Sequence, residues 1–231
     1  WVIGGLLRRG CSIGDASDSQ QKREARIYLS LKKLADQHDL DALAVKCWPE
    51  LQFSSCLSLG LLSDEGLPAG CEGDVNGTVT MLTLYYFTHR PVFFCDVFHL
   101  DRERGSILTY HCGAAAPSLA KSPEEIKLMK HPLGEGMTAE FPVRDGAVTI
   151  ARLGSISGRY RMLITSGEAA RTEHIVRGNP LEVKLAVDVF DFLNQMASKG
   201  IEHHYLIVSG DVRKELMELC DWLDIEKGLI S

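Results

Sequence analysis

The residue pattern predicts an α/β protein. Positions 1–75 read as the end of an open-sheet α/β domain. Positions 76–231 read as a β-rich domain, an antiparallel sheet or small barrel with flanking helices. Three observations carry this expectation. Helix and strand signals alternate through the first part of the chain, the rhythm of an α/β sheet. Aromatic, β-branched and glycine-rich segments then crowd between 91 and 177, the density of a sheet or barrel. The tail returns to helix, strand and helix.

The elements follow in order. Ser17 with Gln20 forms a capping-box pattern, and Ile27, Leu31, Leu34 and Ala35 recur at helical spacing, so a helix is expected over 19–38. Asp41 to Trp48 is a short apolar run that suits a buried strand. Gln52 to Ser63 reads as a helix stopped by Gly66 and Pro68. Leu67 to Cys71 is a brief strand or loop, and Val75 to Thr88 is a helix ending before Pro91. Pro91–Leu100 and Ser106–Cys112 are strands, and 118–132 is a loop or short helix. Short strands are expected over 134–177, with Asp145-Gly146 as a hairpin signal. Pro180 is expected to open a helix with Val183, Val187, Phe190 and Leu193 on one side, closed by Gly200. His204–Ser209 is a strand, and Val212–Leu223 a final amphipathic helix.

Composition narrows the function classes. The chain has 231 residues, 45% hydrophobic and 24% charged, a globular profile. The net charge is −6, and no basic run exceeds Arg8-Arg9 or Lys32-Lys33, which argues against a nucleic-acid partner. No stretch reaches the roughly 20 apolar residues of a membrane span. The apolar start, Trp1 to Leu7, is too short for a secretory signal. It reads as the inside of something, so residues upstream are expected. The seven cysteines are odd in number and lack C-x-x-C spacing. They read as small buried residues in a reducing cytosol rather than a disulfide frame or a zinc-thiolate site.

Three spots place acids or imidazoles at strand ends, where open α/β sheets bind ligands. In Cys47-Trp48-Pro49-Glu50 the glutamate follows a predicted strand; a first-turn acid complementing a helix dipole is the plain alternative. In Cys71-Glu72-Gly73-Asp74, Asp74 can cap the next helix. That leaves Glu72 unexplained, and two close acids repel unless a cation lies between them. Glu202-His203-His204 stands at the entry to a strand, where one imidazole must face in and the other out. His111, in Tyr-His-Cys-Gly, is a further candidate, for a structural or substrate contact before a metal role. Two acids and a histidine from separate strand ends suit Mn²⁺, Mg²⁺ or Co²⁺ with open positions. Phosphate-loop and G-x-S-x-G patterns do not occur.

Cys-Trp-Pro-Glu, Cys-Glu-Gly-Asp, Tyr-His-Cys-Gly and His-His-Tyr-Leu-Ile-Val-Ser-Gly-Asp, in this order, resemble the L-fucose isomerase family and the related fucose/arabinose isomerase-like group. The likeness runs from about residue 40 to the end; each motif is weak alone, and their order is specific. It implies a Mn²⁺-type ion held by Glu50, Asp74 and His204, with Glu72 a rival for the second acidic position as in the arabinose branch. It implies aldose–ketose interconversion, with Glu50 and Asp74 moving the proton through an enediol. Trp48, Glu72, Asn76, His111 and His203 are the expected substrate contacts. His203 departs from the asparagine usual in the fucose branch. The resemblance also implies a monosaccharide substrate, a preceding domain of the same protein, and a cytoplasmic trimer or hexamer. On that reading the present chain alone is inactive. Competing readings are a related metal-dependent epimerase, lyase or sulfosugar isomerase, and a non-catalytic sugar-binding or assembly module. Loss of any of the two acids and one histidine would favour the module; all are present.

Overall fold

The structure, a computed structural model, describes residues 2–170, 172–173 and 176–229. Its helices are α1 (Val2–Arg8), α2 (Asp18–His38), α3 (Cys56–Asp64), α4 (Val75–Thr88), α5 (Val189–Lys199) and α6 (Arg213–Trp222). Its strands are β1 (Ser12–Ile13), β2 (Leu43–Ala44), β3 (Ala69–Gly70), β4 (Phe93–Asp101), β5 (Ser106–His111) and β6 (Lys127–Lys130). They continue with β7 (Met137–Glu140), β8 (Gly146–Ile156), β9 (Arg159–Ala170), β10 (Asn179–Leu185), β11 (His204–Ser209) and β12 (Glu226–Leu229).

A mixed sheet in the order β10-β5-β4-β11-β8-β9-β12 dominates. Because β10 pairs with β9 as well as β5, the antiparallel ring of six strands closes on itself, and β12 adds in parallel to Arg161–Ile164 of β9. Closure removes the open edges that would invite other strands. Alternation along β11 sorts its side chains between two cores. Tyr205 and Ile207 join Phe93, Ile107, Ile150, Leu163, Val183 and Phe192. Leu206 and Val208 join Phe94, Ala151, Ile164, and Met81 and Leu84 of α4. With both faces covered, β11 reads as a continuous apolar run. A side chain such as Leu84 contributes roughly 1.5–3 kcal/mol by its burial. The pairs β2/β3 (parallel) and β1-β6-β7 form two smaller sheets.

Several expected elements take their expected form. The Ser17/Gln20 capping box is present at the head of α2, and Asp74 caps α4. Others differ for identifiable reasons. The helix expected from Gln52 starts only at Cys56. Gln52 and Phe53 both have positive φ, and Gly134 and Gly136 lie against their carbonyls. Pro180 lies inside β10 rather than opening a helix. Leu181, Val183 and Leu185 point alternately into the core there, and the helix begins at Val189 behind an Asp188 cap. Asp145-Gly146 stands at the entry to β8, with Gly146 its first residue, and is not a hairpin turn. The tight turn is Ser157-Gly158, both at positive φ, between β8 and β9, as a two-residue hairpin requires. The segment 118–132 holds strand β6 after two 3₁₀ turns, and β12 was unexpected. The expected apolar start at Trp1, and Arg171, His174 and Ile175 of the expected strand region, lie outside the described residues.

Candidate active site

The parallel pair β2/β3 ends in two adjacent loops, Cys47–Glu50 and Cys71–Asp74. The Gly73 N–H donates to Val45 O at 3.1 Å and ties them together. Glu72 and Gly73 both have positive φ, at 57° and 69°. Such a conformation in a non-glycine residue costs energy and recurs at functional sites. It delivers Asp74 to the head of α4, where its Oδ1 accepts the Gly77 N–H at 2.8 Å.

Asp74 is the hub of the site. Its Oδ2 lies 2.5 Å from Arg152 Nη1 and 2.9 Å from His204 Nδ1, and its Oδ1 accepts from Arg152 Nη2 at 3.1 Å. Arg152 is 1% exposed, a buried guanidinium matched by this carboxylate. Burial raises the Asp74 carboxyl. The hydrogen bonds from His204, Arg152 and Gly77 outweigh it and hold the group well below the usual carboxylate range. Gly77 makes the fork possible, since a Cβ there would stand 2.4 Å from Arg152 Nη1 and 2.6 Å from Asp74 Oδ2. Arg152 also faces Glu202 Oε2 at 3.6 Å, and Glu202 Oε1 accepts from Asn76 Nδ2 at 3.2 Å. Asn76, an expected substrate contact, thus belongs to the network behind the site.

With Nδ1 turned to an acceptor, His204 carries its proton there and leaves the Nε2 lone pair free. That Nε2 lies 3.7 Å from Glu72 Oε2 and 3.9 Å from Asp96 Oδ1. The His203 Nε2 lies 3.8 Å from the same two carboxylates. These separations are too long for hydrogen bonds and match ligands gathered about a shared cation. One atom each of Glu72, His203 and His204 fall within 4.8 Å of one another. An O,N,N set open to solvent fits a Mn²⁺-class ion. A carboxylate on the far nitrogen of a ligating histidine is the usual supporting partner. Burial raises the Asp96 carboxyl, and His204, His111 and His203 partly offset this.

The other expected residues are placed as follows. Glu50 is exposed on the companion loop, with Lys46 Nζ 2.9 Å from its Oε1; that lysine lowers its carboxyl. Lys46 itself lies against Gly73, so both acidic loops share one rim. Among the described contacts, Glu50 meets none of the histidines. Trp48 is 59% exposed and stacks on Phe53, with centroids 5.4 Å apart. His111 is buried, edge-on to Phe94 at 5.8 Å, and Phe94 packs on His204 at 4.5 Å. Sequence reading missed Asp96 and Arg152. Each is a charge flanked on both sides by apolar residues, Cys95 and Val97 for Asp96 and Ala151 and Leu153 for Arg152, and that incongruity was the available signal.

The chain matches the family model described as L-fucose isomerase, C-terminal domain, over residues 109–229. It is 32% identical over 216 residues to sulfoquinovose isomerase of Priestia aryabhattai, covering 91% of this chain and 48% of that protein. It is 31% identical over 208 residues to sulfoquinovose isomerase of Alkalicoccus urumqiensis, covering 87% and 47%. A third sulfoquinovose isomerase, from Clostridium sp. (strain MSTE9), is 31% identical over 209 residues, covering 87% and 46%. The chain therefore spans about half the length of the curated relatives it matches.

Proposed function

Because the chain belongs to the L-fucose isomerase C-terminal domain family, we propose that the whole protein is a divalent-metal-dependent aldose–ketose isomerase. The rim of Glu72, Asp74, Asp96, His203 and His204 is its chemical centre in this reading. The observation that carries it is the convergence of Glu72, His203 and His204 at ligand spacing, with Asp74 fixing the tautomer of His204.

Glu72, His203 and His204 Nε2 would hold the ion. Asp74 keeps His204 oriented and is itself committed to Arg152 and the Gly77 N–H. When bound, the ion supplies Lewis-acid polarisation of a sugar carbonyl. Proton transfer between the two carbons of an aldose–ketose pair needs a carboxylate that is not locked in hydrogen bonds. We assign it to Glu50, whose only described partner is the exposed Lys46, and to Asp96, beside both imidazoles. Trp48 offers an exposed ring face, held flat by Phe53, for the apolar side of a sugar.

The names of the relatives support a sulfonated hexose as the substrate class. The upstream half of the protein, and neighbouring copies in a trimer or hexamer, would complete the pocket. A reducing cytosol suits the seven free thiols. The test is ketose formation by the full-length protein with Mn²⁺, followed by NMR on sulfoquinovose, L-fucose, L-arabinose and D-glucose. Conversion of sulfoquinovose alone supports the full reading. Conversion of an unsulfonated aldose alone keeps the isomerase and replaces the substrate. No ketose from any sugar overturns it.

A further inference from the structure

Away from the acidic rim, a second cluster joins three elements. Cys56 opens α3, Cys112 follows β5, and His131 stands in the turn between β6 and β7. One atom from each lies within 4.8 Å of the others. The Cys56 and Cys112 sulfurs are 3.9 Å apart, and His111 Nδ1 is 3.7 Å from Cys112 Sγ.

The tautomer of His131 decides between a metal and a thiol reading. Its Nδ1 accepts the Leu133 N–H at 3.1 Å, so its proton sits on Nε2. That Nε2 is buried and has no partner of ordinary geometry among the described residues. A protonated Nε2 has no lone pair for a metal, but it is a donor within the Cys56–Cys112 cluster. Cys112 thus meets three potential donors: Cys56, His111 and His131. The hydrogen bond from Cys56 lowers the Cys112 thiol, burial opposes it, and both histidines add to the lowering, leaving it well below the usual thiol range. Burial lowers His111 and Cys112 raises it, to about 8. Cys112 is also the one cysteine of the seven that is not fully buried. A thiol held below its usual range, on a residue that is not fully buried and beside a second thiol, is the arrangement that reacts with peroxides.

We propose that Cys112 and Cys56 are an oxidisable pair that closes to a disulfide when the protein meets hydrogen peroxide. The Cys112 sulfur attacks one peroxide oxygen, the O–O bond breaks, and hydroxide leaves and takes a proton to become water. Cys112 is then a sulfenic acid, oxidised by two electrons. The Cys56 sulfur attacks it, the S–O bond breaks, and the second water leaves with the Cys56 proton. Peroxide is reduced to two waters, and a thiol reductant reopens the bond. Closure pulls α3 toward the end of β5, next to His111, whose ring borders Phe94 and through it His204.

The test is peptide mapping of the full-length protein after peroxide, with remaining thiols alkylated before digestion. The expected product is a Cys56–Cys112 cross-linked peptide, lost on reduction. Cys56→Ser should stop at the Cys112 sulfenic acid, captured by dimedone, and Cys112→Ser should give neither product. If either variant fails to fold, the map of the native protein decides alone. Alkylation of all seven of this chain's cysteines after peroxide would overturn the proposal. So would a link only between Cys47 and Cys71, whose sulfurs are 3.3 Å apart but fully buried. A stoichiometric zinc ion bound by the native protein and lost in Cys112→Ser would overturn it as well.

Discussion

His204 Nδ1 lies 2.9 Å from Asp74 Oδ2, a contact between residues 130 positions apart in the chain. The same carboxylate neutralises the buried Arg152. Asp74→Asn should therefore act twice. It leaves a buried guanidinium short of its counter-charge, costing about 3–5 kcal/mol, readable in denaturant unfolding. Asp74→Asn combined with Arg152→Met should recover most of that loss, because no buried charge is then stranded. The folded Asp74 carboxyl is depressed. Its stabilisation is fully present above the unfolded value of about 4 and is lost progressively as pH falls from there through the lower folded value. The cost of Asp74→Asn should accordingly stay constant from neutral pH down to mild acid.

Gly77 gives a geometric test of the same fork. An added methyl would meet Arg152 Nη1 and both Asp74 Oδ2 and Cγ at under 3 Å. Gly77→Ala adds helix propensity to α4, which alone would stabilise by up to about 1 kcal/mol. Crowding should reverse the sign and give a net loss of roughly 1–3 kcal/mol. A thermal melt above that of the native protein would show that the fork is looser than described.

Glu24 supplies a pH signature remote from the rim. It is buried between α2, α3 and β7, accepting from Ser58 N at 2.8 Å, Ser58 Oγ at 2.7 Å and Met137 N at 3.2 Å. Burial pushes its carboxyl up to about 7 against those hydrogen bonds. Between the unfolded value, about 4.3, and the folded one, the unfolded chain has lost a proton that the folded chain keeps. Stability from this residue therefore falls as pH rises across that window, by up to about 4 kcal/mol, and is level above it. Glu24→Gln should flatten that part of the stability profile. An unchanged slope in the variant would assign it to other groups.

Much of the scaffold was legible in the sequence because local chemistry governs it. The Ser17/Gln20 box, the Asp74 cap and the apolar run Tyr205–Val208 of β11 each announce themselves within a few residues. Pro180 misled because Val183, Val187 and Phe190 mimic a helical stripe. Pairing of β10 with both β5 and β9 overrides that local signal. The rim was legible in part. His204, Asp74 and Glu72 stood out as acids and imidazoles at strand ends, and the structure gathers them. Asp96 reaches them only through the register of β4 against β11, in which His204 faces Asp96. Arg152 reaches Asp74 only because α4 packs over β8 with a glycine at the crossing. Such long-range register leaves no trace in local spacing.

The central question is whether the acid–imidazole rim holds a divalent ion. Mn²⁺ titration by calorimetry should compare the full-length native protein with Glu72→Gln, His204→Ala and Asp74→Asn, and with Glu124→Gln as a control on an exposed acid. The prediction is a loss of affinity of about tenfold or more in each rim variant, and native affinity in the control. Equal binding by all five proteins, or ketose formation that persists after exhaustive chelation, would contradict it.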